Sequence, residues 1–363
     1  MSKRRDFIER TYQRFKSSLF DTVPAAHEQA LADFRMSEFG VRSLQQIPDF
    51  NRWLYRKNSA NVRYYCFDGG QVVGHQAAMG VDLKLAGRTV KAAYAIDLKV
   101  RADWKMKGLA VAMTGALMNR FDILIALGVS DDAYKMFKRQ GWQDLGCLNF
   151  YIKPMTPKGA ERNNTSSSLS SWWRNGTAFF LSKVADISVN NLARRANVKA
   201  LDSFTREHEA LCEALYGQHS NQIKRSEHYL NWRFCEFPGK NPYRIFEYRL
   251  KNQNLVGFMI VKECHWHGKK ALVVVELQAY SEHIRTLVNE SIQMAKSKSV
   301  DVLLYQCIDS NLEKRLKRSL FYQRPYGDRF LVYCEQEELI PMVCDISNWQ
   351  VSYSESDMDF CFY

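Results

Sequence analysis

No stretch of this 363-residue chain supplies the roughly 18 uninterrupted apolar residues that a membrane-spanning helix needs. The first twenty residues also lack the apolar run of a signal peptide, carrying instead Lys3, Arg4, Arg5, Arg10, Arg14 and Lys16. A soluble, unsecreted, cytoplasmic protein is the expectation. No C-x-x-C pair occurs among the nine cysteines, at 66, 147, 212, 235, 264, 307, 334, 344 and 361. An odd, dispersed set argues against a disulfide framework and for reduced thiols. Cys264-His265-Trp266-His267 has no second ligand group at a finger-like spacing, so it reads as the end of a hairpin before Gly268, and no metal is expected. Lysine and arginine are missing altogether after Arg329.

That last absence makes the charge uneven. The chain carries +12 overall, and its final segment contributes only acids: Glu335, Glu337, Glu338, Asp345, Glu355, Asp357 and Asp359. With these seven set aside, the first 329 residues carry +19. Such a body favours an anionic partner: a nucleotide cofactor, a nucleotide-linked substrate, RNA or an anionic membrane surface. At 46% hydrophobic and 13% aromatic residues there is material for two or three packed domains and no case for wholesale disorder.

Ile8, Tyr12, Phe15 and Leu19 fall at helical spacing, which predicts a basic amphipathic helix over 1–20 that packs on the body or meets a membrane surface. A second helix is expected over Ala25–Phe34. A meander follows: strands at 62–67, 71–85 and 89–100, with turns at Asp68-Gly69-Gly70 and at 86–88. Then come a basic loop, a helix over 109–120, a strand over 121–127 and a helix over 131–140 that ends at Gly141. Residues 147–151 read as another strand. The run Asn163-Asn164-Thr165-Ser166-Ser167-Ser168 has linker composition.

The downstream half repeats the upstream half. Trp53 recurs as Trp232, Asp97 as Glu276 and Asp122 as Asp301, each pair separated by 179 residues. Val72-Val73-Gly74 recurs as Leu255-Val256-Gly257, and Gly87-Arg88 as Gly268-Lys269. One part is missing from the second copy. Where the first has Trp104-Lys105-Met106-Lys107-Gly108-Leu109-Ala110, the second runs from Tyr280 through Ser281-Glu282-His283-Ile284-Arg285 with no glycine. A basic, glycine-containing loop opening a helix offers free backbone N–H groups and the positive end of the helix dipole to a phosphate. A repeat that keeps the scaffold but drops this loop implies that the loop has a role only one half needs.

A meander, a basic-x-x-Gly-x-Ala loop, a helix, a strand and a helix ending in Gly-aromatic together resemble the GNAT (GCN5-related N-acetyltransferase) superfamily. Lys105-Met106-Lys107-Gly108-Leu109-Ala110 is similar to its R/Q-x-x-G-x-G/A pyrophosphate loop, with Lys in the first position. Ala133-Tyr134-Lys135-Met136-Phe137-Lys138-Arg139-Gln140-Gly141-Trp142 is similar to its A-x-x-L-Y-E-K-L-G-F signature. The motifs cover about 60–150, and the repeat extends the fold over about 200–335. The tandem arrangement more loosely resembles Fem-type transferases and N-acyltransferases of cell-surface polysaccharide assembly.

The resemblance implies an α+β chain of two tandem GNAT-like domains, each a central mixed β-sheet flanked by helices. Residues 1–155 would bind the acyl donor, 156–195 form a Ser/Asn-rich linker with a short helix, 196–336 form a degenerate GNAT-like domain, and 337–363 an acidic tail. It implies a transferase that moves an acyl group from acetyl-CoA or another acyl-CoA to an amine. Leu98, Val100 and Lys105 to Ala110 would hold the cofactor, with an oxyanion site on the Asp97–Val100 strand. Asp97 is the first candidate for the base, against the alternative of a structural acid; His75 is a weaker one. The usual acid position is Phe137, which has no hydroxyl, so Tyr134 one turn earlier is the candidate acid. Trp53, Tyr55, Arg56, Trp232 and Arg233 are candidate acceptor contacts at the seam, with core packing the competing reading for both tryptophans. Asp357 and Asp359 either bind a cationic acceptor or pack against the body. The acceptor expected is a small-molecule amine, foremost an amino group on a nucleotide-activated sugar, and no DNA partner is expected. An aminoacyl-tRNA-dependent transferase and a non-catalytic module that binds coenzyme A or a sugar nucleotide are the alternatives.

Overall fold

A computed structural model of the chain describes residues 3–22, 27–40, 43–85, 87–160, 197–216, 221–324 and 327–361. Among the described residues the strands form two eight-stranded sheets. The first contains β1 (Leu19–Phe20), β2 (Val62–Asp68), β3 (Gln71–Leu85), β4 (Arg88–Val100), β5 (Ile123–Leu127) and β6 (Gln143–Cys147). β7 (Asn149–Pro154), β8 (Asn197–Leu201), β10 (Tyr243–Arg249), β11 (Leu255–Trp266), β12 (Lys269–Ala279), β13 (Val302–Ile308) and β14 (Tyr322–Gln323) belong to the second. β9 (Asn221–Ile223) pairs with β3, β15 (Arg329–Cys334) joins the first sheet, and β16 (Val351–Ser352) pairs with β13.

The expected meander is present. β3 and β4 pair antiparallel over almost their whole length, and Gly69 and Gly70 turn the chain before β3 with φ of 53° and 79°. α1 (Lys3–Phe15) buries Ile8 and Phe15 against α3 (Leu109–Met118), and α2 (Glu28–Phe39) covers the other part of the meander through Leu31 and Phe34. Gly115 on α3 admits that contact, because a Cβ there would lie 3.1 Å from Ile8 Cγ2. α4 (Asp131–Gln140) has the boundaries its sequence predicts: Ser130 caps the Ala133 N–H, and Gly141 ends it at φ +98°. In the second half, α5 (Arg206–Leu215), α6 (Ile284–Ser297) and α7 (Ser310–Arg318) flank the sheet. No helix among the described residues is long and apolar enough to cross a membrane.

Cutting the chain at 155 does not separate the sheets. β7 pairs with β13 and β14 of the second sheet, while β15, far along the chain, lies between β5 and β6 of the first. The halves therefore exchange one strand each. Both strands have the same burial pattern, four buried residues between half-buried ends, and a strand buried on both faces carries no periodic mark of which sheet it will join. The Ser/Asn-rich stretch and most of the expected linker, 161–196, lie outside the described residues, and 157–160 form one short helical turn.

Trp53 and Trp232 mark the seam. Each follows a short helix that widens into a five-residue turn, Trp53–Lys57 in one half and Asn231–Cys235 in the other. Their rings stack at 5.1 Å with 21° between planes. Each indole N–H donates to the other tryptophan's backbone carbonyl, at 2.9 and 3.3 Å. The repeat read from sequence is a near two-fold relation in space at this point. The acidic C-terminal segment is core: Trp349, Val351, Tyr353, Met358 and Phe360 are buried between the halves.

Candidate active site

β4 and β5 are parallel partners only at Ala92–Ile123, Ala93–Leu124 and Tyr94–Ile125. Beyond Tyr94 the strands part, and a cavity of about 520 Å³ opens between Ala95–Leu98 on β4 and the Leu127–Ala133 end of β5 and start of α4. Parting strands leave backbone groups without ladder partners, which is where an amide-bearing ligand can add its own hydrogen bonds. Phe150, Trp266, Arg324 and Asp328 come to the same cavity from the second half or the exchanged segments, and Tyr353, Asp357 and Met358 from the C-terminal segment.

Asp97 is the most unusual residue in the wall. It stands at a register break between β3 and β4 with φ +54°, a backbone state that costs a non-glycine residue free energy and turns it out of the strand's alternation. Its carboxylate accepts from Gln45 Nε2 at 3.0 Å and from the Tyr55 hydroxyl. Burial first, then the negative charge of Asp357, push its pKa up to about 7, against the pull of the two hydrogen bonds. Burial and the neighbouring carboxylate also raise the Tyr55 phenol, which stays protonated as the donor.

His75 does not share the cavity. Its Nδ1–H donates to the Asp97 carbonyl at 3.1 Å, its ring lies among Phe39, Tyr55 and Tyr65, and burial with the charges of Arg35 and Arg63 lowers its pKa to about 3. It is a neutral positioning group for the Asp97 backbone.

The basic loop follows directly from the parted end of β4. Ala102–Trp104 make one turn, Lys107 lies over the Trp104 ring at 4.6 Å, and Met106 is 95% exposed at φ +64°. Gly108 takes φ +91° as the residue before α3, and no side chain caps that helix. The first amides of α3 are thus open to an anion, with Lys105 and Lys107 exposed beside them. A Cβ at Gly108 would meet Thr11 Cγ2 at 3.2 Å, so α1 braces the loop from behind. Leu98 lines the cavity, while Val100 packs with the cluster around Phe15 and Leu109.

Other sequence-derived candidates lie elsewhere. Tyr134 does not line the cavity; its hydroxyl donates to Asp144 at 2.7 Å and Arg329 lies over its ring at 4.3 Å, while Phe137 takes the wall position. A residue one turn earlier on a ten-residue helix had only its spacing to place it, and α4 turns that face toward β6. Trp53, Trp232 and Arg233 do not line the cavity either. The tryptophans are bound to each other, and Arg233, fully buried, is held by Asp359 and the Tyr243 hydroxyl. Arg56 is exposed, and Tyr55 reaches the site only through Asp97. Among the lining residues not anticipated as site residues are Phe150, Trp266, Arg324, Asp328, Tyr353 and Met358. Trp266 was a visible signal, an aromatic at a hairpin end, and it stacks on Phe150 at 5.8 Å.

The second half holds the counterpart of this site. β12 and β13 are parallel partners from Ala271–Val302 to Val274–Tyr305 and then part, but β16 enters the gap, pairing Ser352 with Cys307 and Val351 with Ile308. A void of about 20 Å³ is left. Glu276, the counterpart of Asp97, is buried and saturated: Arg225 at 3.2 Å, Ser352 Oγ at 2.8 Å, Ser354 Oγ at 2.7 Å and Gln278 Nε2 at 2.7 Å hold its carboxylate. The Arg225 charge and these donors lower its pKa despite burial.

No protein-family model and no curated protein sequence matches the chain. Solved structures do. A GCN5-related N-acetyltransferase from Anabaena variabilis aligns with TM-score 0.58 at 11% identity, over 86% of this chain and 71% of that one. The fold is the GNAT fold, present twice. A GCN5-related N-acetyltransferase from Kribbella flavida aligns with TM-score 0.56 at 12% identity, over 87% and 71% of the chains. N-myristoyltransferase from Saccharomyces cerevisiae, solved with bound myristoyl-CoA, gives TM-score 0.56 at 10% identity, over 87% and 80%. Within this GNAT fold, the parted β4 and β5, the open amides of α3 and Asp97 all belong to the first copy.

Proposed function

We propose that the protein is an acyl-CoA-dependent N-acyltransferase whose single active site is the first GNAT copy. The observation that carries this reading is the placement of Asp97, a carboxylate with a pKa near neutrality, in the wall of the gap between β4 and β5. The pyrophosphate of the donor would rest on the amides opening α3, with Lys105 and Lys107 supplying charge, and the thioester would reach into the gap. There the freed N–H groups of β4 would meet the developing oxyanion. An incoming ammonium gives one proton to Asp97. The freed amine lone pair then forms the C–N bond at the thioester carbonyl carbon, the C–S bond breaks, and the thiolate leaves with the second nitrogen proton as free coenzyme A. A thiolate is a good enough leaving group that Phe137 in place of a tyrosine does not stop the reaction.

The strongly basic body favours an acceptor carried on an anionic handle, an amino group on a nucleotide-activated sugar, with Arg324 at the cavity as a contact for that handle. Release of free thiol from acetyl-CoA, measured against a panel of amino sugars and their nucleotide-linked forms, tests the assignment. Amine-dependent release that Asp97→Asn removes is the expected result. Tight acetyl-CoA binding with no release for any amine would favour a binding module instead.

A further inference from the structure

The C-terminal segment carries three acids at alternate positions, and the protein treats one of them differently. Glu355 is held by Arg225 at 2.9 Å and by the Tyr94 hydroxyl; Asp359 is held by Arg233 and by the Tyr243 hydroxyl at 2.5 Å. Both arginines are fully buried, so these pairs fix the segment in place. Asp357, between them, forms no ion pair among the described residues; its carboxylate accepts from the neighbouring Ser356 hydroxyl at 2.9 Å and from its own backbone N–H. It lines the cavity that Asp97 lines. Arg233 is near enough for its charge to be felt at Asp357, but that guanidinium is already bonded to Asp359. Among the described residues the remaining acid of the wall, Asp328, accepts from Gln306 Nε2 at 2.7 Å, and the one lining cation is the exposed Arg324.

Two carboxylates thus border one cavity without a cation between them, in a segment whose other acids were each given a buried arginine. Like charges held in a partly buried space raise each other's energy, and a ligand cation relieves both at once. We infer that Asp357 selects the acceptor, holding it as the ammonium of an aliphatic primary amine beside Asp97. This rests on the N-acyltransferase reading for Asp97 and adds a second carboxylate with a separate role. Asp97 takes the proton, while Asp357 stays anionic and keeps the amine in place. Weakly basic aromatic amines and alcohols, neutral at pH 7, fall outside the class.

The test uses the full chain with two isosteric probes, n-butylammonium and 1-butanol, with binding followed by saturation-transfer NMR at pH 7 in the presence of coenzyme A. The wild type is expected to bind the ammonium and not the alcohol. Asp357→Asn should weaken ammonium binding about tenfold, the equivalent of one charge-assisted hydrogen bond, and Asp357→Glu should restore most of it. Acetyl-CoA affinity should be the same in all three. Equal binding of the two probes by the wild type, or an Asp357→Asn variant that binds the ammonium as tightly as wild type, overturns the proposal. Should Asp357→Asn not fold, the wild type alone decides, since ammonium binding must strengthen between pH 5 and pH 8 as Asp97 ionises beside Asp357; a flat profile overturns it. Asp97→Asn separates the two claims: loss of thiol release with ammonium still bound supports the base, and unchanged release refutes the base while leaving selection by Asp357 standing.

Discussion

The two halves part their central strands at equivalent places and then use the gap in opposite ways. In the first, Asp97 borders an open cavity, under-neutralised and near a second carboxylate. In the second, Glu276 is bonded to an arginine, two serines and a glutamine, and β16 fills the gap. One stretch of chain, 349–361, does both: it plugs one gap with Val351 and Ser352 and walls the other with Tyr353, Asp357 and Met358. The comparison teaches that the same scaffold can leave a carboxylate available in one copy and satisfy it in the other. A carboxylate with all its hydrogen bonds met and a buried counter-ion contributes to the fold and has nothing left for a ligand.

The largest effect is expected at the sealed gap. Arg225→Met leaves Glu276 and Glu355 without their shared cation, and should cost about 3–5 kcal/mol in denaturant unfolding. An unfolding midpoint equal to wild type would mean that the sealed site is not held by charge.

At the open gap the loss should appear in turnover. Asp97→Asn is expected to lower kcat by roughly 10²–10⁴-fold with acetyl-CoA affinity unchanged. The same substitution should raise the melting temperature above pH 7. The raised carboxyl binds its proton more tightly in the folded chain than in the unfolded one, so stability falls as pH rises from the ordinary value of 3.8 to about 7. Asparagine removes that penalty, and below pH 4 the two proteins should differ little. Glu276 carries the opposite sign. Its pKa is lowered, so its contribution is present above the ordinary value of 4.5 and is lost as pH falls through the folded value.

Smaller effects sharpen the comparison at its edges. Trp232→Phe removes one indole N–H and leaves the buried Trp53 carbonyl without its donor, an expected cost of about 1–3 kcal/mol in unfolding. Tyr134→Phe should change stability by less than about 0.5 kcal/mol and kcat by less than twofold. A large loss of kcat there would return Tyr134 to the reaction.

Much of this fold was legible before any coordinates. β3 starts and ends where alternation and turn residues put it, α4 spans 131–140 and ends at Gly141 as read, and the 179-residue repeat is the near two-fold pairing of Trp53 with Trp232. Local chemistry writes these features, so a sequence can display them. The exchange of β7 and β15 was not legible, because a fully buried strand looks the same in either sheet. Nor was the path of the C-terminal segment. Asp357 and Asp359 read either as contacts for a cationic acceptor or as acids packed against the body, and only three dimensions reveal that Arg225 and Arg233, more than a hundred residues earlier, neutralise Glu355 and Asp359. In the site, Asp97 was visible as the acid on the central strand. Tyr134 was misplaced, since helical spacing fixes a face only relative to its own helix, and for Trp53 and Trp232 the competing reading, core packing, is the one found.

The most direct measurement is a calorimetric titration of the chain with acetyl-CoA. Lys105→Glu/Lys107→Glu alters only exposed side chains of the first loop, and Arg285→Glu alters an exposed one at the equivalent helix start of the second half. One site per chain, weakened at least about tenfold by the first pair and unchanged by Arg285→Glu, is the predicted result. Two sites per chain, or binding that survives reversal of Lys105 and Lys107, would contradict it.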